Sequence, residues 1–255
     1  MPGPFAVITG ASSGIGKDLA RLALAEGFTV LAVADDDAIF STAAALGPQV
    51  EALRADLATA EGVTSVVDAV AGRRVYLLAA NAGKALGHSF LDQSIADIRR
   101  VIDTNVTGTV ELLHRLLPAM VTAGEGRVLI TGSIAGYMTG PGLAIYNASK
   151  AFLNLFSDSL REELRNSGVT ITCLRPGATE TPIFDRAGIG DSPIGRQEKD
   201  DPADVAQAGL RAALAGKASV VTGWKSKLQV VGAQYGPSRL VARAHRKATD
   251  PDVHP

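Results

Sequence analysis

The sequence lacks the features that mark several large classes of protein. Its 255 residues include one cysteine, Cys173, so neither an internal disulfide nor a cysteine-only metal site can form. Lysine plus arginine number 25 and aspartate plus glutamate 26, a balance that argues against a dedicated nucleic-acid-binding protein. No apolar run approaches the length of a membrane-spanning helix, and no signal peptide precedes the first strand-like run. These absences predict a cytoplasmic protein with no metal, membrane or nucleic-acid partner.

The hydrophobic content of 46% is sufficient for one sizeable core, so we expect a single domain over residues 1–255 with residues 223–255 as a C-terminal tail. Short apolar runs predict strands at Phe5–Thr9, Thr29–Ala34, Val50–Leu53, Val75–Ala79, Gly126–Thr131, Val169–Leu174 and Ser219–Thr222. Helical spacing separates these runs at Asp18–Glu26, Ala60–Ala71, Asp92–Met120, Ile145–Asn166 and Pro202–Ala215. This alternation predicts βαβ units and a parallel sheet with helices on both faces.

Two segments depart from this alternation. Pro182–Asp201 is long for a connection in a compact domain, and such loops are typically lids or binding loops. The tail after Gly223 mixes basic and apolar residues, which is compatible with an amphipathic helix on a membrane or partner surface. We favour a helix packed on its own domain or on a neighbouring subunit, because Gly232, Gly236 and Pro237 interrupt the amphipathic pattern.

A glycine-rich turn, Thr9–Gly16, follows the first strand and opens the first helix. Glycines allow the backbone to turn tightly and approach a pyrophosphate, and the helix N-terminus offers unpaired N–H groups to it. The position between a strand and a helix favours dinucleotide binding over an ordinary surface turn. The residues predicted to form this phosphate site are Gly10, Ser12, Ser13, Gly14, Ile15 and Gly16.

The second strand ends in three acids, Asp35, Asp36 and Asp37. Asp35 stands about twenty residues beyond the glycines, where an acid bonds the adenosine ribose hydroxyls of NAD. A 2′-phosphate there would meet these carboxylates and no basic residue before Arg54 in the sequence, so we predict NAD over NADP. A helix-capping role for the acids is the alternative, and both roles are compatible.

Tyr146 and Lys150 are spaced i, i+4, so a helix places them on the same face. An ammonium group beside a phenol favours the phenolate, and we expect it to lower the pKa of Tyr146 from about 10 toward the working pH of a general acid or base. Ser133 ends a strand thirteen residues earlier, and its hydroxyl could bond a substrate oxygen whose charge changes. Taken alone, the pair is common by chance, and an interface tyrosine beside a solvated lysine is the alternative.

Together these motifs resemble the short-chain dehydrogenase/reductase family over nearly the whole chain, from Phe5 to about Thr222. The matching motifs are TGASSGIG at 9–16, RADLA around Asp56, ANAG at 80–83, DTNVTG around Asn105, TGSIAG around Ser133, YNASK at 146–150 and RPGATET at 175–181. The resemblance implies a single-domain doubly wound α/β Rossmann fold with a seven-stranded parallel sheet. It also implies an NAD(P)-dependent oxidoreductase that assembles as a homodimer or homotetramer through the helices carrying Asn105 and Tyr146.

The resemblance further implies a role for individual residues. Tyr146 would be the acid/base, Ser133 the donor that orients the substrate oxygen, Lys150 a ligand of the nicotinamide ribose, and Asn105 the holder of a proton-relay water. The remaining implied cofactor contacts are Asp56, Leu57, Asn81, Ala82, Gly83, Pro176, Gly177, Thr179 and Thr181.

Three further positions bear on the choice of the catalytic tyrosine and of the cofactor. Tyr137 also lies near Ser133, but its fourth following residue is Pro141, so it is not the tyrosine of the pair. Ala34 takes the place where many NAD-dependent members carry the acid, and Asp35 falls where NADP-dependent members often carry arginine. Asp35 still favours NAD, although less firmly.

The loops after the strands are mainly apolar, which predicts a small-molecule substrate that is an apolar secondary alcohol or ketone. Candidate substrate contacts are His88, Ile134, Met138, Leu143 and Phe184. His88 lacks neighbouring ligands at metal-binding spacing, so no zinc site is expected. A catalytically silent nucleotide-binding sensor or scaffold of the same fold is the alternative function. An epimerase or dehydratase that recycles its cofactor is less favoured, because relatives with that chemistry have a longer substrate domain.

Overall fold

A seven-stranded parallel β-sheet forms the centre of the protein in a computed structural model that describes residues 3–235 and 238–249. The strands are β1 (Phe5–Thr9), β2 (Thr29–Ala34), β3 (Val50–Arg54), β4 (Val75–Ala80), β5 (Gly126–Thr131), β6 (Val169–Arg175) and β7 (Ser219–Val221). Their order in the sheet is β3-β2-β1-β4-β5-β6-β7, and every neighbouring pair is parallel. The predicted doubly wound α/β fold is confirmed.

Helices connect the strands and cover both faces of the sheet. They are α1 (Gly14–Ala25), α2 (Ala38–Leu46), α3 (Ala60–Val70), α4 (Ile95–Ile102), α5 (Gly108–Thr122), α6 (Ala144–Glu163), α7 (Ile183–Arg186), α8 (Pro193–Arg196), α9 (Pro202–Leu214), α10 (Trp224–Tyr235) and α11 (Ser238–Thr249). No helix within the described residues is both long and apolar enough to span a membrane.

The two faces of the sheet form two separate hydrophobic cores. In β1, Phe5 and Val7 belong to the core beneath α3, α5 and α6, whereas Ala6 and Ile8 belong to the core beneath α1, α2 and α9. Successive side chains of a strand point to opposite faces, so a strand buried on both sides must be apolar throughout. Cys173 is fully buried in β6, as its apolar surroundings predict.

The helix predicted over Asp92–Met120 is wrong as a single element. The structure has a 3₁₀ turn at Phe90–Asp92, then α4, a π-helical turn at Asp103–Thr107, and α5. The π turn contains the fully buried Asn105, whose side chain bonds other parts of the chain. Hydrophobic spacing along the sequence does not reveal such a wide turn, because π turns occur as single interruptions of otherwise helical segments. Helix α2 was also missing from the sequence-based assignment.

The two segments that depart from the alternation both fold onto the domain. Within Pro182–Asp201, the short helices α7 and α8 surround a small apolar cluster that contains Leu143 and Ile189. In the tail, the Thr249 hydroxyl of α11 donates to the carbonyl of Pro141 at 2.7 Å, as a helix packed on its own domain predicts. Residues 1–2, 236–237 and 250–255, which the single-domain prediction included, lie outside the described residues.

Candidate active site

A crevice opens at the carboxyl ends of β1 and β4, where the order of the strands reverses direction. Such a switch point is where doubly wound sheets bind ligands. The crevice has a volume of about 310 Å³. The structure brings together here all the predicted cofactor residues except Gly16, namely Gly10, Ser12, Ser13, Gly14, Ile15, Asp35, Asp56, Leu57, Asn81, Ala82, Gly83, Tyr146, Lys150, Pro176, Gly177, Thr179 and Thr181.

The glycine turn has the backbone that its sequence predicts. Gly10 and Gly14 have φ angles of 67° and 52°, in the left-handed region that glycine adopts most easily. A Cβ atom on Gly14 would lie 2.7 Å from Cγ2 of Thr181, so the far wall of the crevice approaches the turn closely. Ser13 precedes α1 without a side-chain hydrogen bond to the first turn. The unpaired N–H groups at this helix start therefore fit a phosphate.

A network that the sequence analysis missed holds the turn against β4. The hydroxyl of Thr9 accepts bonds from the backbone N–H groups of Asn81 (3.0 Å) and Ala82 (2.9 Å). The amide of Asn81 donates to the Thr9 carbonyl at 3.1 Å and accepts a bond from the Thr131 hydroxyl at 3.0 Å. Thr9 and Thr131 each end a strand and are the first residue of a recognised motif, which is the signal that could have identified them.

The acids after β2 are paired with cations that are remote in sequence. The expectation that a 2′-phosphate here would meet no basic residue before Arg54 is therefore wrong. Asp35 contacts Lys84 at 2.8 Å and Arg100 at 3.3 Å. Burial by itself would raise the pKa of Asp35, but the hydrogen bond and charge of Lys84, with the charge of Arg100, lower it overall. Asp36 lies 3.6 Å from Arg186 and accepts a bond from the Ser12 hydroxyl at 3.0 Å. The adenosine end of the crevice therefore contains charges of both signs.

Tyr146 and Lys150 lie on one face of α6, as their spacing predicts. Lys150 is buried, and its Nζ atom donates to the carbonyl of Thr131 at 2.8 Å. The same Nζ lies 5.8 Å from the centroid of the Tyr146 ring. Tyr146 is densely surrounded but remains partly accessible, because it borders both the crevice and a second cavity.

The pKa values at this centre differ from the sequence-based expectation. Burial raises the pKa of Tyr146 to about 12, and the nearby Ser133 hydroxyl opposes that rise. Burial also lowers the pKa of Lys150 to about 8. The expected lowering of the Tyr146 pKa by Lys150 is therefore absent in this structure. Desolvation disfavours the charged form of both groups and is the largest cause of both shifts.

Ser133 lies two residues after the end of β5, rather than ending the strand as predicted, and it precedes the 3₁₀ turn Ile134–Tyr137. Its hydroxyl accepts a bond from the Ala135 N–H at 3.1 Å and donates to the Pro176 carbonyl at 3.3 Å. The buried side chain of Asn154 bonds both backbone groups of Ser133, at 2.9 Å to its carbonyl and 3.4 Å to its N–H. Asn154 lies two turns after Tyr146 on α6, so it fixes Ser133 relative to the tyrosine, a role that the sequence analysis did not assign.

Asn105 lies behind the crevice rather than in its lining. Its amide donates to the Lys84 carbonyl and to the Ser149 hydroxyl, both at 2.9 Å, and its Oδ1 accepts from the Lys84 N–H at 2.7 Å. A Cβ atom on Gly83 would lie 3.4 Å from both Asn105 Oδ1 and Lys150 Nζ. Oδ1 and Nζ therefore face a common point beside Gly83.

A second cavity of about 580 Å³ begins at Ser133 and Tyr146. Its described lining includes four of the predicted substrate residues, Ile134, Met138, Leu143 and Phe184. His88, the fifth, is not among the described lining residues; it is exposed, has a φ of 73° and lies beside Gly188. Further contacts come from α7, α8 and the connection between them, from α10 and α11, and from the small residues Ala85, Ala135, Gly177 and Ala178.

No cluster of three or more histidine, cysteine, aspartate or glutamate side chains suited to a metal ion occurs in the described part of the chain.

Comparison with known proteins agrees with this geometry. Residues 4–190 match the family model for short chain dehydrogenases. Sulfoacetaldehyde reductase 2 of Chromohalobacter salexigens is 37% identical over 182 residues, which cover 69% of this chain and 72% of that protein. A short-chain dehydrogenase from Sphingobium yanoikuyae in complex with NADPH superposes with a TM-score of 0.81 at 31% identity, over 91% of this chain and 94% of that one. A short-chain dehydrogenase/reductase from Burkholderia phymatum in complex with NAD superposes with a TM-score of 0.82 at 26% identity, over 90% of this chain and 92% of that one.

Proposed function

Since the chain belongs to the short-chain dehydrogenase family and is an NAD(P)-dependent oxidoreductase, we propose that it interconverts an apolar secondary alcohol and its ketone. Tyr146 is the proposed general acid and base of this reaction. The observation that carries the proposal is the position of Tyr146, which borders both the cofactor crevice and the apolar cavity.

The crevice residues fit a nicotinamide dinucleotide. The start of α1 would hold the pyrophosphate, and Asp56 and Leu57 would contact the adenine. Lys150 would bond the nicotinamide ribose, and Pro176 to Thr181 would surround the nicotinamide. When bound, the cofactor supplies or accepts the hydride.

In the direction of reduction, Tyr146 gives its phenolic proton to the carbonyl oxygen while the carbonyl carbon accepts the hydride. The raised pKa of Tyr146 keeps the phenol protonated until that oxygen becomes basic. The hydroxyl of Ser133 orients the oxygen and stabilises its developing charge. Lys150, with a water held beside Asn105 Oδ1, returns a proton from solvent to the phenolate.

We infer an apolar substrate from the second cavity. No lysine or arginine is among its described lining residues, and its wall is mainly aliphatic. An anionic group would lose its hydration there without gaining a counter-charge. This argues against a sulfonate substrate such as the one named for the Chromohalobacter salexigens relative.

Kinetics on a panel of secondary alcohols and ketones with both cofactors tests this function. We expect turnover of apolar ketones, and a higher kcat/KM with NADH than with NADPH because a 2′-phosphate would lie against the ionised Asp35. The Asp35→Asn variant, which lacks this charge, should have a smaller difference in kcat/KM between NADH and NADPH. A lower kcat/KM with NADH than with NADPH would overturn the NAD preference.

The same kinetics separates the alternative functions. Binding of cofactor without turnover of any panel member would favour the silent sensor, and turnover without stoichiometric change in cofactor absorbance would favour an epimerase or dehydratase.

We also propose a homodimer or homotetramer that uses helix α6. Phe152 and Leu155 of α6 are 42% and 70% exposed, and the ring of Phe152 stacks on that of Phe156 with 5.5 Å between the ring centroids. Light scattering should give a mass two or four times 26.3 kDa, and Leu155→Glu should lower it. Phe40→Glu, an equal change at the exposed Phe40 of α2, should leave the mass unchanged. A monomeric wild-type protein would contradict the proposal.

A further inference from the structure

The last two helices complete the wall of the apolar cavity. Gln229, Gly232 and Ala233 come from α10, and His245 and Ala248 from α11. All five lie beyond residues 4–190, the part of the chain that matches the family model. This wall therefore belongs to the part of the cavity that the shared family sequence does not define.

His245 is the only ionisable side chain besides Tyr146 among the described residues of the cavity wall. It is 9% exposed, and its Nδ1 atom has no hydrogen-bond partner. Burial lowers the pKa of His245, and a bond to the Pro141 carbonyl opposes this only in part, so the imidazole is neutral near pH 7. A neutral imidazole has one nitrogen that donates and one that accepts. One ring nitrogen gives its proton to the Pro141 carbonyl, so the other is the acceptor, and a group on a ligand must donate to bond it.

The other polar side chains of the cavity wall differ from His245 in their surroundings. Ser133 and Tyr146 stand at the reacting end, whereas Gln197 and Gln229 are exposed to solvent. His245 thus provides a polar contact inside an apolar wall that contains no cation among its described residues. A neutral hydroxyl is the suitable partner, because it can donate to the accepting nitrogen, whereas a carboxylate or phosphate would be desolvated there without a counter-charge.

We propose that His245 is a specificity-determining residue that hydrogen-bonds a second, neutral oxygen of the substrate. The preferred substrate class is then an apolar ketone or alcohol that also has a hydroxyl group, able to donate a hydrogen bond, remote from the reacting carbon. This inference rests on the proposed function for the identity of the reacting end.

A matched pair of ketones tests it, namely 4-cyclohexylcyclohexanone and the same molecule with a hydroxyl on the distal ring. Initial rates of NADH oxidation should give a kcat/KM about tenfold higher for the hydroxylated ketone, mainly through a lower KM. His245→Leu should reduce this preference to about one by impairing only the hydroxylated ketone, and His245→Gln should retain part of it. The control Met138→Leu, which keeps the wall apolar, should affect both ketones equally.

Two results would overturn the assignment: no preference in the wild-type protein, or an equal loss for both ketones in His245→Leu. Ketone binding to Tyr146→Phe in the presence of NADH, followed by calorimetry, separates this inference from the proposed function. If the hydroxylated ketone binds more tightly and His245→Leu in that background removes the difference, the role of His245 stands even when wild-type protein reduces neither ketone. If neither ketone binds, the role of His245 is wrong.

Discussion

The Tyr146→Phe variant is expected to lose about a hundredfold to ten-thousandfold in kcat while its affinity for NADH stays within a few-fold of the wild-type value. Phenylalanine retains the ring that packs between the crevice and the cavity, but it has no proton to give to the substrate oxygen. The loss should appear in kcat rather than only in KM, because the missing proton transfer belongs to the transition state. Steady-state kinetics and cofactor fluorescence titration measure the two quantities separately.

Tyr137→Phe is the matched control. Tyr137 lies four residues after Ser133, but its hydroxyl accepts a bond from Arg175, which also pairs with Asp158 of α6. Removing that hydroxyl should change stability slightly and leave kcat near the wild-type value. Undiminished turnover in Tyr146→Phe, or an equal loss in both variants, would show that Tyr146 is not the acid/base.

The Gly16→Ala variant is expected to have at least about tenfold weaker cofactor binding, and to be destabilised by about 1–3 kcal/mol. Gly16 does not line the crevice, but a Cβ atom there would overlap the carbonyl oxygen of Gly10 and lie 2.6 Å from Nδ2 of Asn81. Because the nearest clashing atom is a backbone oxygen, the overlap can be removed only if the glycine turn itself moves away from the phosphate position. Fluorescence titration with NADH and chemical denaturation measure the two effects.

Gly232→Ala provides the comparison for this change. Gly232 is also helical, and a Cβ atom there would meet nothing within 4 Å. Its variant should bind NADH normally, and alanine should favour the helix by about 1 kcal/mol. Similar NADH affinities in the two glycine variants would mean that the tight packing at Gly16 is not required for the phosphate site of the glycine turn.

Predictions based on local chain geometry agree best with the structure. All seven predicted strands are present within a residue or two. The five inner strands are buried along nearly their whole length, and burial on both faces favours a mainly apolar run. The left-handed Gly10 and Gly14 also follow directly from the local sequence. The prediction was wrong where a side chain far along the chain changes the backbone, as at the π turn around Asn105.

The charges near Asp35 illustrate a different limit. The sequence places Lys84 and Arg100 far from Asp35, yet βαβ connections bring the ends of their segments to one edge of the sheet. Counting basic residues along the sequence therefore underestimated the cations at the adenosine end. The predicted preference for NAD therefore depends on the ionised Asp35 itself rather than on an absence of positive charge.

The alternation of strands and helices, the glycine turn and the i, i+4 pairing of Tyr146 with Lys150 follow from the sequence, since each depends on neighbours that covalent geometry holds together. The groups that surround that pair are set by the folded chain: Asn154 fixes Ser133, burial raises the pKa of Tyr146, and His245 joins the cavity from the far end of the chain. These relationships arise from packing between segments remote in sequence, and packing depends on the shape of the whole core rather than on any local pattern.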